Sequence, residues 1–152
     1  MPAELLELEV TESAIMTEPV RAQRLLEALA ALGVRLSIDD FGAGYTSLGQ
    51  LKHLPITELK IDKSFVMTMT EDTSNSLIVH SVVDLGHNLG LTIVAEGVES
   101  AAALAVLRDY DCDIAQGYHL SRPIPAAAFD SWYAARRLAL AAPAVPVQTA
   151  TP

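Results

Sequence analysis

The stretch RLSIDDFGAGYTSLGQL, residues 35–51, ends a short apolar run on two adjacent acids and follows them with two glycines. The alternation of polar and apolar residues in RLSI predicts a strand that Asp39 and Asp40 close. Gly42 and Gly44 then give the backbone conformational freedom directly after the acids. Such a pair before glycine is ordinarily a solvated turn or a helix cap. The alternative is that a cation lies between the two like charges.

The same kind of pattern extends to both sides of this stretch. We predict strands over residues 5–10, 34–40, 56–62, 91–97 and 113–118, and helices over residues 17–33, 46–54, 72–90, 100–110 and 125–140. This alternation predicts an α/β fold in which helical crossovers join parallel strands. An open doubly wound sheet and part of a (β/α)8 barrel both satisfy the pattern, although a full barrel needs eight units and about 250 residues.

Composition narrows the classes of function. The 152 residues, 51% of them hydrophobic, are enough for one globular domain, and the formal net charge of −9 argues against DNA or RNA as a partner. The single cysteine, Cys112, excludes an internal disulfide and fits a reducing compartment. The sequence has no apolar run of about 20 residues and no basic segment followed by an apolar core at its start. We therefore expect a cytoplasmic protein without a membrane segment.

Polar and charged residues recur where each predicted strand ends. Because the carboxyl ends of parallel strands meet at one edge, these side chains are expected to share a rim, which is the functional edge of α/β folds. Carboxylates this close repel one another, and hard cations such as Mg²⁺ or Mn²⁺ remove the conflict. Each residue taken alone has an ordinary explanation, such as a helix cap or a solvated turn. The set comprises Glu9, Glu12, Asp39, Asp40, Lys60, Asp62, Glu96, Glu99 and Gln116.

Five blocks of sequence closely resemble a known family. The blocks ELEVTES, SIDDFGAGYTSL, ELKIDKSF, IVAEGVES and AQGYHLSRP, in this order, resemble the carboxyl-terminal part of the EAL domain. That family consists of bacterial cyclic di-GMP phosphodiesterases on a (β/α)8 barrel. The resemblance covers about residues 4–137 and implies a truncated EAL domain over residues 4–138. The Ala/Pro-rich tail over residues 139–152 lacks a packing pattern, and we expect it to be disordered.

The resemblance also implies roles for the rim residues. It implicates Glu9, Asp39 and Asp40 as metal ligands, with Asp39 bridging two metals. Glu96 matches the glutamate that acts as general base or organises the metal-bound water, and Lys60 matches the lysine near that water and the phosphate. Three supporting residues belong to the loop after the aspartates: Glu12 braces it, and Gly42 and Gly44 shape it. Glu99 supports Glu96, and Gln116 lies at the metal and substrate pocket. Asp62 lies at the end of the third strand.

The implied reaction is hydrolysis of cyclic di-GMP to linear pGpG in bacterial second-messenger signalling. Two Mg²⁺ or Mn²⁺ ions can bind a phosphodiester oxygen, generate hydroxide at neutral pH and stabilise the leaving alkoxide. Since cyclic di-GMP is dianionic, an acidic protein would bind it through metal rather than through a basic patch.

The chain departs from the family pattern in one large respect. The first three strands of the family barrel have no counterpart, and with them go the glutamate of the name-giving E-A-L segment and an asparagine ligand. The letters E-A-L within residues 27–33 lie on a predicted amphipathic helix, and we reject them as the motif. The alternative function is therefore a non-catalytic module that binds cyclic di-GMP or a protein. The two outermost strands would be open edges, which predicts either a fragment of a longer protein or a homodimer or other self-association.

Overall fold

A computed structural model describes residues 2–44 and 48–141. The chain divides into two compact units, Met1–Leu120 and Ser121–Pro152. The first unit contains every strand among the described residues. Its elements are β1 Glu7–Thr11, α1 Glu12–Thr17, α2 Pro19–Ala31, β2 Arg35–Phe41, α3 Leu48–Leu51, β3 Glu58–Ile61, α4 Lys63–Thr68, α5 Thr73–Asn88, β4 Thr92–Ala95, α6 Ala101–Asp109 and β5 Ile114–Ala115, after a 3-10 turn at Ala3–Leu5.

The five strands form one sheet in the order β1-β2-β3-β4-β5, and every pairing is parallel. A doubly wound sheet reverses its strand order at a switch point. Here each strand pairs with the next strand in sequence, which is the order of a (β/α)8 barrel. The structure therefore decides between the two predicted architectures in favour of a partial barrel of five βα units.

The core lies between the outer face of the sheet and the helices. Leu36, Ile38, Leu59, Ile61 and Ile93 are at most 1% exposed and belong to a single apolar cluster with residues of the helices. The opposite, inner face of the sheet is polar, because the parallel register aligns alternate residues of neighbouring strands. Its side chains on the first three strands are Glu7, Glu9, Arg35, Ser37, Glu58 and Lys60.

Several predicted boundaries were wrong, and local capping explains two of them. The Thr11 side chain accepts a hydrogen bond from the Ala14 N–H, and α1 begins directly after β1. Asp62 accepts one from the Ser64 N–H at 2.8 Å and starts α4 directly after β3. The first strand begins at Glu7 and not at residue 5, because residues 3–5 form a 3-10 turn, and the fifth strand is reduced to Ile114–Ala115.

The second unit contains one described helix, α7 Ala126–Ala141. Phe129 and Tyr133 lie one turn apart on it, with ring centroids 5.8 Å apart and planes 11° apart. Of the tail that we predict to be disordered, residues 139–141 form the end of α7 and residues 142–152 lie outside the described residues. Within the described residues, no helix has the length and apolar character needed to span a membrane.

Candidate active site

Lys60 is the centre of an ion-pair cluster at the carboxyl end of the sheet. Its Nζ lies 2.6 Å from Glu9 Oε1, 2.6 Å from Glu96 Oε1 and 3.6 Å from Asp39 Oδ1. The Lys60 side chain is 6% exposed. One ammonium group thus draws together residues of β1, β2 and β3 and the residue that follows β4. Four of the residues predicted to share a rim do so.

The environment of Lys60 fixes its protonation state. Burial lowers the pKa of Lys60, but the hydrogen bonds with Glu9 and Glu96 outweigh that effect and hold the pKa above its usual range. The side chain is consequently a cation at neutral pH. It can offset negative charge at the rim, and it cannot act there as a base.

Asp39 and Asp40 are adjacent in sequence, yet both side chains lie at the rim, because the strand is irregular at this point. Successive residues of a regular strand point to opposite faces. The β2–β3 register shifts between Ile38 and Phe41, and Asp40 has a φ of 54°. Bulges of this kind re-aim side chains next to active sites, and a non-glycine residue with positive φ carries strain. Asp39 Oδ1 accepts the Asp40 N–H at 3.0 Å and helps to hold this conformation.

The carboxyl groups of Asp40 and Asp62 interact through a hydrogen bond. Burial raises the pKa of Asp40, and the charge of Asp39 and the contact with Asp62 raise it further. Burial also acts to raise the pKa of Asp62, but hydrogen bonds from Ser64 more than compensate and leave it below its usual value. Two carboxyl oxygens in contact require a proton or a cation between them. Asp62 therefore interacts directly with Asp40, a contact that the sequence analysis did not predict.

Glu12 braces the loop that follows the aspartates. It is 3% exposed, and its Oε2 accepts hydrogen bonds from the N–H groups of Gly42 and Gly44, both at 3.1 Å. A Cβ at Gly44 would lie 2.9 Å from Glu12 Cδ, and Gly42 has a φ of 98°. A side chain at Gly44 would thus force Glu12 to move, and the backbone conformation at Gly42 favours glycine.

The ends of β4 and β5 line a cavity of about 440 Å³. It brings together Glu96, Glu99 and Gln116, which the sequence placed on the same rim. Its wall also includes Lys63, Met67 and Tyr118. Because Glu96 belongs both to this cavity and to the Lys60 cluster, the two features are continuous.

The carboxylates fit a divalent cation in chemistry but supply only part of a coordination shell. Oxygen ligands suit Mg²⁺ and Mn²⁺, and Mg²⁺ is often held by one or two carboxylates with water and phosphate. Across residues 2–44 and 48–141, no group of three or more His, Cys, Asp or Glu residues is close enough to hold a metal ion.

A second polar layer lies on the inner face below the rim, and the sequence analysis did not single it out. Arg35 lies 3.6 Å from carboxylate oxygens of both Glu7 and Glu58. Burial and the adjacent Glu7 carboxylate raise the pKa of Glu58 to about 7, so the two acids can share a proton. Among the described side chains, Ser37 Oγ and Glu7 Oε1 are buried without a hydrogen-bond partner. The alternation of polar residues in the first three strands is the signal that could have revealed this layer.

Comparison with known proteins defines the class to which this fold and rim belong. The sequence model of the EAL domain matches residues 1–123, and the chain belongs to the EAL domain family. It is 46% identical over 138 residues to cyclic di-GMP phosphodiesterase NbdA of Pseudomonas aeruginosa, covering 91% of this chain and 18% of NbdA. It is 44% identical over 132 residues to signaling protein YkoW of Bacillus subtilis, covering 87% of this chain and 16% of YkoW.

Solved structures show the same likeness. The chain superposes on the PaMucR phosphodiesterase in its c-di-GMP complex with a TM-score of 0.82 and 46% identity, covering 85% of this chain and 52% of that chain. It superposes on the manganese and cyclic di-GMP complex of Klebsiella pneumoniae BlrP1 with a TM-score of 0.76 and 35% identity, covering 81% of this chain and 31% of BlrP1. The chain thus spans less than a fifth of the two curated relatives and about half of the PaMucR chain.

Proposed function

We propose that this chain supplies one half of a metal-dependent cyclic di-GMP phosphodiesterase site. The observation that carries the proposal is the contact of Lys60 with Glu9, Asp39 and Glu96 at the carboxyl rim. Relatives named as cyclic di-GMP phosphodiesterases support the choice of reaction and substrate.

Glu9, Asp39 and Asp40 are the residues that would hold Mg²⁺ or Mn²⁺. When bound, such ions supply a nucleophile at neutral pH and stabilise charge on the phosphodiester oxygens. Glu12 and its two glycine contacts keep the loop after Asp40 in place and so fix where the two aspartates point. The remaining ligands would come from outside the described residues.

Glu96 and Lys60 have complementary parts in the reaction. Glu96 is 19% exposed and borders the cavity at β4 and β5, where a substrate phosphate would meet it. It would take the proton from the water whose oxygen attacks phosphorus, while the bond from phosphorus to the 3′ oxygen breaks. The 3′ oxygen would take up a proton from solvent, which gives linear pGpG. The Lys60 cation would offset the negative charge that builds up on the phosphoryl oxygens. Glu99 and Gln116 line the same cavity and would contact the nucleotide.

A second candidate function is a binding module without turnover. The described residues gather no group of three metal ligands. The cavity of about 440 Å³, however, is lined by residues of this chain. Such a chain would bind cyclic di-GMP and release it unchanged.

A covalent chimera separates these two functions. The part of the PaMucR EAL domain that this chain does not match would be fused to this chain, and incubated with cyclic di-GMP and Mn²⁺. Formation of pGpG by the chimera, lost in Glu96→Gln and kept in the exposed control Glu27→Gln, supports the phosphodiesterase. Saturable binding of cyclic di-GMP with no pGpG in a folded chimera supports the binding module.

A further inference from the structure

The short helix α4 is attached both to the end of β2 and to the core. Its capping residue Asp62 contacts the Asp40 side chain, and the Asp62 N–H donates a hydrogen bond to the Phe41 carbonyl at 3.3 Å. Val66, in the middle of the helix, is fully buried in the apolar cluster. The position of α4 relative to the sheet is therefore well determined, and segments that pack on it are held in place.

One face of α4 packs on the aspartate loop, residues 42–44, which follows Asp39 and Asp40. A Cβ at Gly42 would lie 3.0 Å from Cε2 and 3.6 Å from Cζ of Phe65, so the edge of this ring lies directly against the glycine. On its other side, Gly42 donates its N–H to Glu12 Oε2 at 3.1 Å. Asp40, two residues earlier, has a positive φ, and such a conformation persists only where the surrounding structure enforces it.

The opposite face of α4 packs on the residue that follows Glu96. A Cβ at Gly97 would lie 2.6 Å from Lys63 Cβ and 3.2 Å from Met67 Cγ. Lys63 and Met67 are four residues apart and share one side of the helix. Phe65 lies midway between them in sequence and therefore points to the other side. One helix thus contacts the aspartate loop with one face and the segment after Glu96 with the other.

We propose that α4 sets the separation between Asp40 and Glu96, and that Phe65 is a positioning residue for the aspartate loop. The inference rests on the proposed function, in which Asp40 would hold a metal ion and Glu96 would take the proton of the attacking water. Phe65 would act through Gly42 and touch neither metal nor substrate. A displacement of about 1 Å at a reacting group can cost about a hundredfold in rate, so a fixed separation matters to turnover.

Hydrogen exchange in the chain alone tests the contact of Phe65 without metal or substrate. Phe65→Ala should speed exchange at the Gly42 and Gly44 amides by at least about tenfold relative to Leu85→Ala, because the loop loses its support on the α4 side. Leu85 is the matched control, since it is also half-buried against the core but lies on α5 near the start of β4. Phe65→Leu, which keeps an apolar side chain, should restore most of the protection.

A pair of glycine substitutions tests whether α4 links the two segments. Gly97 and Gly90 have similar φ values, 71° and 74°, so alanine strains the backbone equally at both. Only Gly97→Ala pushes on α4, because a Cβ at Gly90 meets nothing within 4 Å. Gly97→Ala should therefore speed exchange at the Gly42 amide on the far side of α4, by at least about threefold over Gly90→Ala. A purely local effect of Gly97→Ala would leave that amide unchanged.

The chimera adds a readout at the metal site and one in the kinetics. Phe65→Ala should weaken Mn²⁺ binding by about tenfold in calorimetry, as loss of a supporting contact around metal ligands typically does. At saturating Mn²⁺ it should lower kcat and leave KM for cyclic di-GMP within about twofold, because Phe65 does not touch the substrate. Phe65→Leu should restore both quantities, and Leu85→Ala should leave both within about twofold of the unsubstituted chimera.

Two results would overturn the proposal. One is protection of Gly42 and Gly44 that is equal in folded Phe65→Ala and Leu85→Ala chains. The other is exchange at Gly42 that is equal in Gly97→Ala and Gly90→Ala, and this comparison decides the matter if Phe65→Ala does not fold. A chimera that forms no pGpG while exchange changes as expected would reject the proposed function alone. An active chimera with unchanged exchange would reject the role of α4 alone.

Discussion

Replacing Lys60 by Met removes the ammonium group on which the rim cluster depends. The variant keeps an apolar stem but loses the contacts of 2.6 Å with Glu9 and Glu96. Removing one partner of a buried ion pair costs about 3–5 kcal/mol, because the other charge stays buried without compensation. Glu9 is 52% exposed and water can solvate its carboxylate. We therefore expect the lower end of that range, a loss of about 3 kcal/mol in the free energy of unfolding.

Denaturant and thermal unfolding measure this loss against Lys52→Met. That control removes the same charge from an exposed position and should stay within about 0.5 kcal/mol of the unsubstituted chain. For a chain of this size, a loss of about 3 kcal/mol lowers the Tm by roughly 6–12 °C. A Lys60→Met chain as stable as Lys52→Met would refute the reasoning that the cluster holds the strands together.

The pH dependence of this difference gives a second check. Because the pKa of Lys60 is raised in the folded chain, its contribution is fully present below the ordinary value of 10.5 and is lost as the pH rises through the folded value. The gap between the two variants should thus persist through neutral pH and narrow only in strongly alkaline solution. A gap that closes already near neutrality would contradict the assigned charge state.

Three further substitutions probe the loop, the lower layer and the metal ligands. Gly44→Ala places a Cβ 2.9 Å from Glu12 Cδ and should cost about 1–3 kcal/mol with faster exchange of the loop amides; unchanged exchange would show that the brace tolerates a side chain. Glu58→Gln should stabilise the chain by roughly 1 kcal/mol at pH 8. The reason is that folding raises the pKa of Glu58 from 4.5 to about 7, so the unsubstituted chain loses stability as the pH rises through that interval. If the free energies of unfolding of the two chains change equally across that interval, the two acids share no proton. Asp39→Asn should weaken Mn²⁺ binding by the chimera at least tenfold by calorimetry, and Asp84→Asn, 65% exposed on α5, should not; equal affinities would exclude Asp39 as a ligand.

The alternation of parallel strands with helices and the gathering of the rim residues could be predicted from the sequence, whereas the pattern alone left the order of the strands open. Both depend on regular features: alternation within strands, and the return of each strand to the same edge after a helix. Lys60 and Glu96 are 36 positions apart in the sequence, but each lies at or just beyond the carboxyl end of a strand, and this placement brought them together.

The features that could not be predicted depend on local backbone geometry. The helices α1 and α4 start on capping residues, Thr11 and Asp62, that also read as strand ends. The contact between Asp40 and Asp62 depends on the positive φ of Asp40, which an Asp-Asp pair does not by itself reveal. The contact between Glu58 and Glu7 could not be predicted either, because it depends on the register between β1, β2 and β3.

The central claim is that this rim, completed by the rest of an EAL domain, hydrolyses cyclic di-GMP. The most direct test is the rate of pGpG formation by the chimera with Mn²⁺, measured with Glu96 intact and replaced by Gln. The account predicts turnover that Glu96→Gln reduces by about 10²–10⁴-fold, the usual contribution of a general base. A folded chimera that binds Mn²⁺ and cyclic di-GMP but forms no pGpG, or that forms it equally fast without the Glu96 carboxylate, would contradict the account.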